Sequence, residues 1–322
     1  MKIIHKQLSL EENGKLLYKE NFIKKNNIRE GEVRVKPINV GLCSSDIPRC
    51  FDGKSYFYPL IIGHEFLVRI LEDPSGEFIE GERCAVFPLK PCFKCKGCEL
   101  KEFNKCSSYS YYGSRTSGGM QSWLDINKWN LVKLPSSIDD ISGGLIEPLA
   151  VCIHASKFIE KNKSVLLYGG GFLSQILSQI LRNKGCEITC IDRNEYKKEF
   201  FDNDVNFSIE TNNFDDSLFD YSLDCCGANN IFEECIRLTK PNGQIIQLAN
   251  PNLDLKITSD VLSKLMRKEL ILVGSWNSLY RPDKPEICEW NLGINMLQNN
   301  QISINSKIYQ PNEYEEKILR KI

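Results

Sequence analysis

The sequence predicts an α/β protein, with a doubly wound parallel sheet in its second half and a separate domain formed mainly by its first half. Three observations carry this expectation. From Lys163 onward, short apolar strands alternate with helical stretches, the order that builds a parallel sheet. The first of those strands runs into Gly169-Gly170-Gly171 and then into an apolar helix. At 322 residues the chain exceeds what one ordinary core organises, so two domains are expected: 148–275 for the sheet, and 1–147 with 276–322 for the other.

Charge and composition narrow the function. The 41 Lys and Arg balance 42 Asp and Glu, which leaves no electrostatic reason to expect nucleic acid or a membrane surface as partner and favours a small molecule. No apolar run approaches the ~18 residues of a membrane span, and Met1-Lys-Ile-Ile-His-Lys6 lacks the apolar core of a signal peptide, so a cytoplasmic location is expected. The 14 cysteines are then thiols. Cys152, Cys186, Cys190, Cys225, Cys226, Cys235 and Cys288 sit among apolar neighbours, as small core residues do.

In the first half, residues 32–40 alternate apolar and polar side chains as a half-buried strand does, and Gly41 ends the run. Cys43 follows on the turn. Alone it reads as a core thiol, but Ile61-Ile-Gly-His-Glu-Phe66 places one of only 3 histidines, His64, between a glycine and Glu65. Thiolate, imidazole and carboxylate are zinc ligands, and a catalytic site uses three of them and keeps one position open. Glu65 is a ligand, an acid beside the ligands, or a surface charge. Cys92, Cys95, Cys98 and Cys106 follow the spacing C-x2-C-x2-C-x7-C, which can close a tetrahedron around a structural zinc; an iron–sulfur cluster is the alternative. Arg115, in the Tyr- and Gly-rich run that follows, is a solvated arginine or an anion contact.

In the second half, Glu147 stands between Ile146 and Pro148 at the mouth of an apolar helix. It is either a third metal ligand or an acid favoured by the helix dipole. Gly169-x-Gly171-x-x-Ser174 opens a dinucleotide-binding unit, with serine where a third glycine usually allows close strand–helix packing; a slightly looser contact is expected there. Asp192 ends the next strand, where a carboxylate accepts hydrogen bonds from ribose and repels a 2′-phosphate, so NAD is expected over NADP, with Arg193 tempering the preference. Gly169, Gly171, Phe172, Leu173, Asp192, Arg193 and Cys226 are the expected cofactor contacts. Further strands are expected near 221–226, 244–248 and 270–274, with helices near 229–239 and 259–268.

Gly41-x-Cys-x-Ser-Asp46, Gly63-His-Glu65, the four cysteines, Glu147-Pro148 and the glycine turn, in this order, resemble the medium-chain zinc-dependent alcohol dehydrogenase family. Finer matches, among them Gly113-Ser-Arg115 and Gly274-Ser-Trp276, resemble its polyol and polyol-phosphate branch. The resemblance implies a Rossmann sheet plus a partly open, GroES-like β-barrel domain carrying a four-cysteine zinc lobe. It implies that Cys43, His64 and Glu147 bind a catalytic zinc onto which Glu65 can exchange, that Ser45 hydrogen-bonds the reacting hydroxyl, and that hydride passes to NAD. A polyol, sugar or sugar phosphate is the implied substrate, with Arg49, Tyr56, Arg115 and Trp276 as candidate contacts, and a homodimer or homotetramer the implied assembly. Ser44 and Ser174 depart from the usual glycines, and Pro48 replaces a histidine that some relatives use as a proton relay. A regulatory NAD-binding protein and an enzyme of nucleotide-linked or acidic sugars are the competing readings.

Overall fold

The computed structural model describes residues 2–303 apart from 13, 25, 213, 229, 252 and 253, and the chain divides into two compact units. The first takes in the chain up to Pro148 together with Leu279–Gln298; the second is Leu149–Ser278 with Asn299–Ser303. The expected return of 304–322 to the first domain lies outside the described residues. Among the described residues no helix is long and apolar enough to cross a membrane.

The first unit is mostly antiparallel sheet. Its strands are β1 (Lys2–Leu10), β2 (Leu16–Lys24), β3 (Glu32–Gly41), β4 (Leu60–Ile61), β5 (Glu65–Glu72), β6 (Arg83–Val86), β7 (Leu89–Lys90), β8 (Ser110–Tyr111), β9 (Leu124–Asn127) and β10 (Leu131–Lys133). They form a five-stranded sheet β10-β6-β5-β3-β9, a three-stranded sheet β2-β1-β4 and the pair β7-β8. Val33, Val35, Phe66, Val68, Ile70, Val86 and Ile126 fill the core of the five-stranded sheet, each such side chain contributing about 1.5–3 kcal/mol of transfer free energy. Residues 32–40 form the half-buried strand that the alternation predicts, with one departure at Arg34. Arg34, between the two valines, is only 2% exposed, because it pairs with Asp125 at 2.8 Å and stacks on Trp123. Short helices α1 (Asp46–Phe51), α2 (Lys96–Glu99) and α3 (Asp140–Gly143) interrupt the strands. Residues 279–298 dock through rings: Phe87 lies 4.7 Å from Tyr280 and 5.5 Å from Trp290 by centroid.

The helix α4 (Ile146–Ser156) precedes the second unit's sheet of six parallel strands: β11 (Ser164–Tyr168), β12 (Glu187–Ile191), β13 (Asn206–Ser208), β14 (Phe219–Asp224), β15 (Thr239–Gln247) and β16 (Ile271–Gly274). Their order, β13-β12-β11-β14-β15-β16, reverses at β11. A sheet that reverses in this way opens a crevice at the carboxyl ends of its strands, and the glycine turn after β11 lies there. Helices α5 (Phe172–Arg182), α6 (Ile231–Leu238) and α7 (Ser259–Arg267) connect the strands, and α8 (Glu289–Gln298) belongs to the first unit. Ser174 does not loosen the turn as expected. It is fully buried and its hydroxyl donates to the carbonyl of Gly169, fastening the helix to the glycine strand end.

Candidate active site

Strand register assembles the first site. β3 and β5 pair antiparallel with Gly41 opposite Glu65, so Cys43, two residues beyond Gly41, comes beside His64, one residue before Glu65. Gly41 leaves room for that carboxylate: a Cβ here would lie 2.4 Å from Glu65 Oε2 and displace it. The backbone before His64 is held as tightly, since Gly63 has φ +94° and a Cβ on Gly118 would stand 2.1 Å from its carbonyl oxygen. As a result, one donor atom each from Cys43, His64 and Glu65 lies within 4.8 Å of the others.

The electrostatics fit a cation. Burial and the charge of Glu65 push the Cys43 thiol up, burial raises Glu65, and burial together with Glu65 carries Glu147 up to about 7. Buried acids that repel one another are costly unless a positive charge sits among them, and a divalent ion bound by thiolate, imidazole and carboxylate supplies it. Asp46 orients the group from outside. Fully buried, it accepts the Cys43 N–H at 3.2 Å and an Arg49 N–H at 2.8 Å, and lies 3.6 Å from His64 Nδ1. Burial disfavours a charged His64, but the Asp46 carboxylate outweighs it and the imidazole's pKa is raised.

Glu147 does not join the three-donor group. It is buried on the first turn of α4 and accepts the Tyr111 hydroxyl at 3.1 Å. Neither Tyr111 nor Asp46 has an assigned role in the sequence reading. Asp46 closes the Gly41–Asp46 stretch and Tyr111 sits in the Tyr-rich run, but nothing in their neighbours marks them.

The other expected contacts divide. Arg115 is sandwiched between the rings of Tyr56 and Tyr109, 4.5 Å from each centroid. Arg49 is instead bound to its own helix, donating to the Ser45 carbonyl at 2.9 Å and to Asp46, with the Ser45 hydroxyl at 3.3 Å. Trp276 is in the second unit, about half exposed at 47%.

The four cysteines of the lobe converge, with sulfur–sulfur distances of 3.6, 3.7 and 4.0 Å for three of the pairs. Thiolates on one tetrahedral zinc stand about 3.8 Å apart. Gly97 permits this, because a Cβ there would meet the Lys105 carbonyl oxygen at 2.6 Å. Backbone amides, chiefly that of Cys98, hold the Cys95 thiol down at about 5.

In the second unit Gly171 caps α5, which begins at Phe172 and Leu173. Gly169, at φ +100°, packs on Cys226, where a Cβ would approach to 2.8 Å. Arg193 is exposed. Asp192, 8% exposed, accepts N–H groups of Gly170 at 2.7 Å and Asn194 at 2.9 Å, and also the Lys197 ammonium at 2.7 Å. Lys197 is the partner that the sequence left unnamed.

Comparison with known proteins agrees with this chemistry. Residues 29–136 match the alcohol dehydrogenase GroES-like domain. Over 302 residues the chain is 28% identical to galactitol 1-phosphate 5-dehydrogenase of Escherichia coli K12, spanning 89% of this chain and 87% of that one. It is 26% identical to the sorbitol dehydrogenase of Halalkalibacterium halodurans, spanning 88% and 84%. The crystal structure of galactitol-1-phosphate dehydrogenase from Escherichia coli superimposes with a TM-score of 0.80 at 28% identity, over 94% of this chain and 90% of the other. The chain is thus a dehydrogenase similar over about nine-tenths of its length to the medium-chain zinc-dependent alcohol dehydrogenases, with an alcohol dehydrogenase GroES-like domain at residues 29–136.

Proposed function

We propose that this dehydrogenase transfers a hydride between NAD(H) and a secondary alcohol or ketone of a polyol, sugar or sugar phosphate, in the cytoplasm. The observation that carries the proposal is the group Cys43, His64 and Glu65, the last two buried, with the buried Glu147 beside it, in a chain whose second unit carries the glycine turn and Asp192. Zinc bound by these residues supplies the Lewis acidity that lowers a hydroxyl's pKa toward neutrality. Ser45 relays the hydroxyl proton, accepting it as it releases its own to solvent, and the Arg49 guanidinium 3.3 Å from its oxygen favours that release. Arg115 takes a substrate phosphate: two tyrosine rings fix the plane of its guanidinium, whose Nη2 also reaches the Tyr56 and Tyr109 hydroxyls at 3.4 and 3.5 Å, and a phosphate takes the place of these long contacts. Asp192 binds the adenosine ribose and repels a 2′-phosphate, so NADP is the poorer cofactor, by a margin that the Lys197 ammonium beside it narrows. The lobe holds a second, structural zinc.

The test is a panel of polyols and polyol phosphates assayed in both directions with NAD and NADP. NAD reduction on at least one member, lost on chelation and restored by zinc, is expected. Undiminished turnover in zinc-free protein, or no turnover across the panel, overturns the proposal. A homodimer or homotetramer is proposed through β16, which ends the sheet with Ile271 and Leu272 about half exposed; sedimentation as a monomer rejects it.

A further inference from the structure

Tyr111 is held by its backbone and by neighbouring rings, though its side chain is only partly buried. Its strand, β8, pairs with β7 so that Tyr111 stands opposite Leu89, and its carbonyl accepts the N–H groups of Arg115 and Thr116 at 2.9 Å each. Its ring meets His64 edge-on, with centroids 5.8 Å apart and planes at 65°, and touches Tyr109 at 6.3 Å on the other side. From this fixed position its hydroxyl donates to Glu147 Oε1 at 3.1 Å.

We propose that Tyr111 is a positioning residue that tethers Glu147 outside the Cys43–His64–Glu65 group, so that Glu65 and not Glu147 completes the protein ligands of the metal. The reason is coordination number. Four protein ligands close a tetrahedral zinc, whereas a catalytic zinc keeps one position for water or substrate. This site has three buried carboxylates around the imidazole; Asp46 is held by the Cys43 N–H and Arg49, which leaves Glu65 and Glu147, one more than an open site needs. A phenol on a rigid strand removes the surplus by occupying one oxygen of Glu147, and it leaves that carboxylate beside the open position. The inference rests on the reading of this group as a metal site.

Cobalt-substituted protein tests it, with the spectrum of the site taken as the difference from Cys43→Ser. In Tyr111→Phe the tether is lost and Glu147 enters the coordination sphere. The visible d–d bands therefore shift, and metal release to a chelator slows by about tenfold, the scale on which outer partners change metal affinity. Adding Glu147→Gln to Tyr111→Phe reverses both changes. An unshifted spectrum in Tyr111→Phe, or a shift that survives the second substitution, overturns the assignment. Should Tyr111→Phe fail to fold, Glu147→Gln alone decides: the tethered arrangement leaves the cobalt spectrum unshifted, and a shift shows that Glu147 is already a ligand and overturns the tether. If the parent protein binds metal only in the four-cysteine lobe, the reading of the site itself fails; metal at both sites with an unshifted Tyr111→Phe spectrum sinks the tether alone.

Discussion

In the lobe, four sulfur donors fall between Cys92 and Cys106, and backbone amides of the same short segment hold the Cys95 thiol down at about 5. Around Cys43, the donors come from the ends of two strands, with Glu147 of α4 beside them, and burial with mutual repulsion pushes the Cys43 thiol and both Glu65 and Glu147 up. Backbone amides also lower the Cys92 thiol, while burial raises Cys98 and Cys106; the lobe's own backbone thus prepares two of its four thiols for metal, whereas Cys43, Glu65 and Glu147 are all raised. A closed, locally built site serves stability; an open site, whose charges are unsatisfied without metal, serves chemistry.

The largest expected effect breaks the second site. Cys43→Ser removes one of the two candidate metal sites among the described residues and lowers turnover by about a thousandfold or more, because a Lewis acid supplies several kcal/mol of transition-state stabilisation. Metal analysis shows the loss, and calorimetric titration shows NAD affinity unchanged. Next is Cys98→Ser, which opens the lobe: melting should fall by roughly 10 °C, as a loss of a few kcal/mol does in a chain of this size, while cobalt at the Cys43 group keeps its spectrum. Gly118→Ala is smaller. Its new methyl presses on the Gly63 carbonyl and costs about 1–3 kcal/mol of overpacking, read as weaker metal retention at the Cys43 group with the lobe unaffected.

The smallest effect comes from a charge cluster that touches neither site. Burial raises the Asp220 carboxyl, but the Ser164 amide and hydroxyl and the Lys240 ammonium outweigh it, so its pKa lies below the ordinary value. Its stabilisation is therefore complete above the usual carboxylate range, about 4, and is lost as pH falls through the lowered folded value. Asp220→Asn should flatten this acid limb of the stability profile by about 1 kcal/mol or less, measured by denaturant unfolding in the absence of metal.

The same contrast decides what could be read from the chain. The lobe and the glycine turn were legible because each lies within one short segment, where spacing alone implies geometry. Cys43, His64 and Glu65 were legible as donors, but their meeting depends on the β3–β5 register. The tether from Tyr111 to Glu147, the burial of Arg34 by Asp125 and Trp123, and the hold of Lys197 on Asp192 were not. Each is a contact between segments whose residue types are ordinary on any surface, and only the packed fold distinguishes them from solvated side chains.

The docking of Tyr280 and Trp290 on Phe87 has a consequence for biosynthesis. All three are almost wholly enclosed, at 4%, 0% and 0% exposure, yet Phe87 leaves the ribosome before the whole of Leu149–Ser278 and its partners leave after it. At the ~5–20 residues per second of translation, the unit translated first waits on the order of ten seconds for its last ring to arrive. The inserted stretch Leu149–Ser278 is translated before it, and only Asn299–Ser303 of that unit follows. During synthesis this protein therefore matures from its middle outward, with an aromatic surface near its beginning left open for chaperones until the C-terminal third emerges.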